Sequence, residues 1–179
     1  EFTFAGAAGD LVFIETQDHN DGSFEARLEL YAPDGSLTPS AEDDPLARRA
    51  GAVAAGCNDA TLVRPEGEGD WSIAGDPTEG ALVTLAARAG IDPGSMRAGM
   101  SRLDVIPFDP AYRYMATLHE RDEATVALVK GAPEVLLPAC ATVGEHHFDA
   151  AYWQGEVDRL ASQGMRTLAI ARKRLPAGL

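Results

Sequence analysis

Ala124-Thr125-Val126-Ala127-Leu128-Val129-Lys130-Gly131-Ala132-Pro133-Glu134 is the stretch on which the fold turns. The apolar run from Ala124 to Val129 reads as a half-buried β-strand. Lys130 stands at its end, where an ammonium projects into a cleft. Gly131 lets a ligand come close to the backbone. Pro133 suits the first turn of a helix, with Glu134 beside that helix's positive end. Strand, lysine, glycine and helix start together make an anion or nucleotide site. The competing reading is a solvated lysine in a strand-to-helix turn. Lysine is scarce here: of 15 basic side chains only Lys130 and Lys173 are lysines.

Around that stretch, composition sets bounds. A chain of 179 residues with 45% apolar content predicts one domain, spanning 1–179, with a proper core. No apolar run reaches the roughly 18 residues of a membrane span, and no secretory signal pattern opens the chain. The first residue is Glu1 rather than Met, which suggests an excised piece of a longer protein. A net charge of -13 argues against nucleic acid or anionic lipid as partner. It also requires any phosphate ligand to find a local basic cluster. Cys57 and Cys140, far apart, fit a reduced chain better than a disulfide scaffold.

The pattern outward from Lys130 mixes helices with antiparallel-looking strands. Strands are predicted at 1–5, 11–16, 24–31, 60–64, 70–74, 103–108, 113–119, 124–130 and 166–171. A helix follows Pro45, with Asp43 or Asp44 as cap and Leu46, Ala50, Val53, Ala54 and Cys57 at helical spacing. A second begins at the cap Asp76, with Pro77 at the first position and Glu79 placed as in a capping box, and stops at Gly90. A short helical piece is expected at 94–100, and further helices at 133–140 and 149–163. Without a regular βα alternation, the class is α+β, an antiparallel sheet flanked by helices.

Strand parity extends the lysine reading. Arg113, Met115 and Thr117 share one face of their strand, and Arg166, Leu168 and Ile170 share one face of theirs. If these strands and the Lys130 strand join one sheet, three cations and two apolar side chains line one cleft. Phe108 sits in the turn Pro107-Phe108-Asp109-Pro110, either as a core plug or as a stacking face for a base. Other chemistries are absent. There is no Gly-x-x-x-x-Gly-Lys-Ser/Thr loop and no Gly-x-Gly-x-x-Gly. His146-His147 reads as a polar surface loop rather than a metal site. No serine lies in a nucleophile elbow.

Five motifs occur in a telling order: Cys57-Asn58-Asp59-Ala60; Gly75-Asp76-Pro77-Thr78-Glu79-Gly80-Ala81-Leu82; Ile106-Pro107-Phe108-Asp109 with Arg113-Tyr114-Met115-Ala116; Lys130-Gly131-Ala132-Pro133-Glu134; and Gly164-Met165-Arg166-Thr167-Leu168-Ala169. This series resembles the nucleotide-binding (N) domain of P-type cation-transporting ATPases, nearest the type II, calcium-pump-like group with its bacterial relatives. The earlier Leu30-Tyr31-Ala32-Pro33-Asp34-Gly35 resembles the family's Tyr-x-Pro-x-Gly turn.

The resemblance implies roles position by position. Phe108 stacks on adenine. Glu79 faces the adenine amino group, holds the Phe108 loop, or only completes its helix cap. Lys130 lines the back of the pocket, and Gly131 gives room for the base. Met115 packs beside the ring. Arg113 stands where the family commonly has lysine, which keeps the charge but alters its shape. Arg166 reaches the polyphosphate, and Leu168 covers the ribose or base.

The family's phosphorylated aspartate lies in Asp-Lys-Thr-Gly-Thr, and no aspartate here precedes Lys-Thr. Phosphoryl transfer needs an in-line nucleophile and a metal. The resemblance therefore implies a monomeric ATP-holding domain, a cytoplasmic part of an integral membrane pump without membrane contact of its own. Its partners are the phosphorylation and actuator domains of the same parent chain, with Mg²⁺ bound mainly outside this domain. The rival readings are a stand-alone adenine-nucleotide sensor and a protein-interaction module. The transported ion is not legible.

Overall fold

The computed structural model describes residues 12–15, 24–25, 27–30, 45–64, 72–121, 124–143, 146–147, 149–162 and 167–175. The expected strand at 1–5, the Asp43/Asp44 cap, the Tyr31–Gly35 turn and Arg166 lie outside them. In chain order the elements are β1 (Val12–Glu15), β2 (Phe24–Glu25), β3 (Arg27–Leu30), α1 (Pro45–Gly56), β4 (Thr61–Val63), β5 (Ser72–Ala74), α2 (Pro77–Arg88) and α3 (Pro93–Ala98). They continue with β6 (Ser101–Asp109), β7 (Tyr114–Arg121), β8 (Ala124–Gly131), α4 (Pro133–Leu136), a 3₁₀ turn (Leu137–Ala139), β9 (Cys140–Val143), β10 (His146–His147), α5 (Ala150–Ser162) and β11 (Ala169–Leu175).

The central sheet has four antiparallel strands in the order β11-β8-β7-β6. Its apolar alternation makes two cores. On one face Met115, Leu128 and Ile170 meet Val53, Ala54 and Cys57 of the α1 region and Leu82 and Leu85 of α2. On the other, Ala169 and Ala171 meet Leu136, Leu137, Val157 and Leu160, with Val129 and Tyr114 packed alongside. Helices therefore cover both faces, which is the α+β arrangement expected from the sequence. The remaining pairings are β1 with β3, β4 with β5, and β9 with β10, all antiparallel. One pairing departs from the all-antiparallel expectation: β2 lies parallel to β9.

Several local expectations need correction. Helix α4 ends at Leu136 and tightens into a 3₁₀ turn instead of reaching Cys140, because Pro138 brings no N–H to an α-helical bond. His146-His147 is a short strand on β9, not a loop. The final strand begins at Ala169, later than the 166 expected, and runs on to Leu175. Both cysteines are free thiols, and burial pushes Cys57 up to about 11 and Cys140 up to about 12.

Candidate functional site

Helix α2 places Glu79. Asp76 caps it, accepting from the N–H groups of Thr78 at 2.8 Å and Glu79 at 3.1 Å, and Pro77 occupies the first helical position. The reciprocal half of a capping box would turn the Glu79 carboxylate back onto Asp76. Instead its Oε1 accepts from Lys130 Nζ and its Oε2 from the Asp59 N–H at 3.2 Å. Glu79 thus does more than cap its helix.

Lys130 closes β8 on the face turned toward α1 and α2. The register sets it opposite Met115 on one side and Ile170 on the other. Its side chain is only 7% exposed, against 16% for Glu79. An ammonium so enclosed must be paired to be tolerated, and Glu79 supplies the charge.

The same row continues to β6. Ile106 pairs with Ala116 and Asp109 with Tyr114, so a bulge sets Pro107 and Phe108 together opposite Met115. Pro107 belongs at such a place, where the ladder is already broken. Phe108 remains 58% exposed. The cross-strand row is therefore Phe108, Met115, Lys130, Ile170, with Glu79 reaching down onto Lys130 from α2. An exposed aromatic ring at one end and a buried ion pair two strands away make a surface suited to a flat, hydrogen-bonding ligand.

Other expected members fall differently. Met115, at the middle of the row, is 1% exposed and packs into the core, so it supports the site without presenting surface to a ring. Leu168 is partly buried and packs against that core. The resemblance gives Gly131 the part of leaving room for a base; in the structure its missing side chain makes room for the neighbouring chain, since a Cβ there would lie 2.6 Å from the Arg113 carbonyl oxygen and 2.6 Å from Tyr114 Cβ. Arg113 occupies the β6–β7 turn with φ 60°, and its guanidinium pairs with the Glu134 carboxylate at 2.5 Å, both side chains exposed. The cleft of three cations expected from strand parity therefore contains only Lys130 among the described residues.

Sequence reasoning gave no role to Asn58 and Asp59, although both lie in a quoted motif. Asn58 is buried. Its Nδ2 donates to the carbonyls of Ala54 at 3.1 Å and Glu79 at 2.8 Å, while its Oδ1 accepts from the Ala60 N–H at 2.8 Å. Nearby, a cavity of about 410 Å³ is walled by Arg97, Arg102, His119, Asp59 and neighbours. Its arginines are already engaged. Arg97 donates to the carbonyls of Ala55 and Ala60, and Arg102 donates to those of Gly56 and Asn58 and to Asp59 Oδ1. With Asn58 on the Ala54 carbonyl, they satisfy the carbonyl end of α1.

Comparison with known proteins bears on these features. Residues 48–178 match the family described as P-type ATPase, cytoplasmic domain N. The chain belongs to that family. Among relatives, a cation-transporting ATPase pma1 of Synechocystis is 43% identical over 123 residues, 65% of this chain and 13% of the relative. A probable cation-transporting ATPase F of Mycobacterium tuberculosis is 38% identical over 160 residues, 83% of this chain and 17% of the relative. A calcium-transporting ATPase of Bacillus subtilis is 32% identical over 133 residues, 68% of this chain and 14% of the relative. The chain thus spans under a fifth of the length of these relatives. This N domain has, among its described residues, no helix long and apolar enough to cross a membrane.

Proposed function

We propose that this N domain binds ATP and presents its γ-phosphate to an aspartate that lies outside the 179 residues, within a cation-transporting pump. The observation that carries the reading is the row itself: exposed Phe108 aligned with the buried Lys130–Glu79 pair. A base stacked on Phe108 lies along that row and directs its hydrogen-bonding edge at the ion pair, where a carboxylate accepts and an ammonium donates. Stacking on one open face with few charged contacts gives weak binding, on the order of 0.1–1 mM, about -4 to -5.5 kcal/mol.

Arg113 and Arg166 are the cations we assign to the polyphosphate. Arg113 must leave Glu134 to serve there, and that exposed pair is weak enough to break, at about 0–1 kcal/mol. We assign Mg²⁺ to the phosphates and the neighbouring phosphorylation domain, where the resemblance puts the acceptor aspartate. The cation-transport names of the relatives support a membrane pump as the parent. Calorimetric titration with ATP, alongside a phosphate-release assay, tests the proposal. Weak saturable binding without turnover is expected. Steady hydrolysis by the purified chain, free of contaminating ATPases, overturns it.

A further inference from the structure

The turn after α1, Cys57 to Ala60, is tied to Glu79 by two hydrogen bonds. Asn58 sits at its centre with both polar atoms of its amide in use. One Nδ2 hydrogen bond ties it back to α1 at Ala54, the other ties it to the Glu79 carbonyl, and Oδ1 folds the turn onto the Ala60 N–H. The next residue, Asp59, donates its own N–H to Glu79 Oε2. Glu79 is thus held through its backbone by Asn58 and through its side chain by Asp59. Its remaining oxygen, Oε1, is aimed at Lys130. Arg102 fixes the far side of the same turn by donating to the Asn58 carbonyl at 2.9 Å.

We propose that Asn58 is a positioning residue for base selection: it orients the Asp59 N–H and the Glu79 backbone so that the Glu79 carboxylate faces the nucleobase edge in one fixed attitude. This rests on the nucleotide reading above. A carboxylate in that attitude accepts from an exocyclic amino group and repels a keto oxygen. At position 6 adenine carries an amino group and guanine a keto group, so a carboxylate held at that position favours adenine nucleotides. A site built around such an acceptor discriminates sharply, because the mismatched base leaves a polar group unpaired. If the turn at Asn58 is lost, Glu79 Oε2 loses the Asp59 N–H and swings about the Oε1 that stays on Lys130, so the carboxylate no longer meets the base edge in one attitude. Loss of Asn58 therefore erodes the choice between bases more than the hold on phosphates.

Asn58→Ser and Asn58→Asp test this. The first shortens the side chain. The second keeps an acceptor for Ala60 but removes the donor to Glu79 and sets a carboxylate against two carbonyls. The experiment titrates the 179-residue chain and each variant with ATP, GTP and inorganic tripolyphosphate at fixed salt, following amide chemical shifts well below each melting midpoint. The parent chain should prefer ATP to GTP. In any folded variant ATP should weaken about fivefold, the value of one hydrogen bond, while GTP and tripolyphosphate change less than about twofold. The Asp59 amide resonance should also move upfield as its carboxylate acceptor is lost. Because Asn58→Asp puts a buried charge at risk of unfolding the chain, Asn58→Ser and the Asp59 resonance carry the test in that case. A lowered melting midpoint with an unchanged ATP/GTP ratio would show Asn58 to be structural only and overturn the proposal. Equal affinity of the parent for ATP and GTP would overturn it while leaving nucleotide binding intact. No binding of any nucleotide would remove both readings.

Discussion

Breaking the Lys130–Glu79 pair from its two ends should have unequal consequences. Lys130 is 7% exposed and Glu79 16%, so the ammonium has less access to water. Glu79→Ala leaves that ammonium without its carboxylate partner. Removing one partner of a buried pair costs about 3–5 kcal/mol, and we expect the lower end, about 3, because the site opens toward solvent on the Glu79 side. Lys130→Met is milder. Methionine fills the same volume between Met115 and Ile170, and Glu79 keeps the Asp59 N–H as donor while turning to water. We expect about 1 kcal/mol or less for that change. The double variant should resemble Lys130→Met alone, giving a coupling of about 2 kcal/mol or more. Urea denaturation followed by circular dichroism reads these differences. With a slope near 2 kcal/mol/M, Glu79→Ala should lower the midpoint by about 1.5 M and Lys130→Met by about 0.5 M or less. Equal losses from the two single variants, or additive losses in the double, would refute the claim that Lys130 depends on Glu79 for its charge balance.

Phe108→Ala should keep the fold and weaken ATP about fivefold or more, since stacking on a base contributes roughly 1–3 kcal/mol; titration of a folded variant checks it. Gly131→Ala should destabilise by about 2–3 kcal/mol in thermal melts, because the new Cβ meets the Arg113 carbonyl oxygen and Tyr114 Cβ at 2.6 Å; a stable variant that merely binds ATP less well would contradict that packing role. His119 supplies a pH dependence. It is 2% exposed with its Nδ1 unpartnered, and burial together with the Arg102 charge pushes it below its ordinary 6.5, against the pull of the Gly56 and Met100 carbonyls. The unfolded chain then takes up the proton first as pH falls. The stability from neutral His119 is full above about 6.5 and declines as pH falls below that value toward the folded-state one; His119→Asn should flatten this part of a denaturation-versus-pH profile.

Much of this was legible before any coordinates. The central strand could be read because Ala124 to Val129 is a short apolar run of β-formers ending at Lys130-Gly131. The start of α2 could be read because Asp76 and Pro77 have specific chemistry at a helix N-terminus. The same rule misled at Glu79. Local sequence offered it a cap, whereas a lysine 51 residues away offered a buried counter-charge. Local spacing cannot weigh that competition. Gly131 is legible only in part for a related reason: a glycine announces a close approach, and the one visible here is that of Arg113 and Tyr114. Strand parity put Arg113 on the face of Met115, but the positive φ at Arg113 turns the chain there and sends the guanidinium to Glu134. Asn58 went unassigned because its value lies in a contact across 21 residues to a backbone carbonyl, which no side-chain pattern encodes.

If one cross-strand row binds the nucleotide, adding ATP to isotopically labelled chain should give saturable amide shifts centred on Glu79, Phe108 and Lys130 and their immediate neighbours, with adenosine reproducing those near Phe108. Saturable shifts centred instead on the cavity of Arg97, Arg102 and His119, or none at millimolar ATP, would contradict that placement.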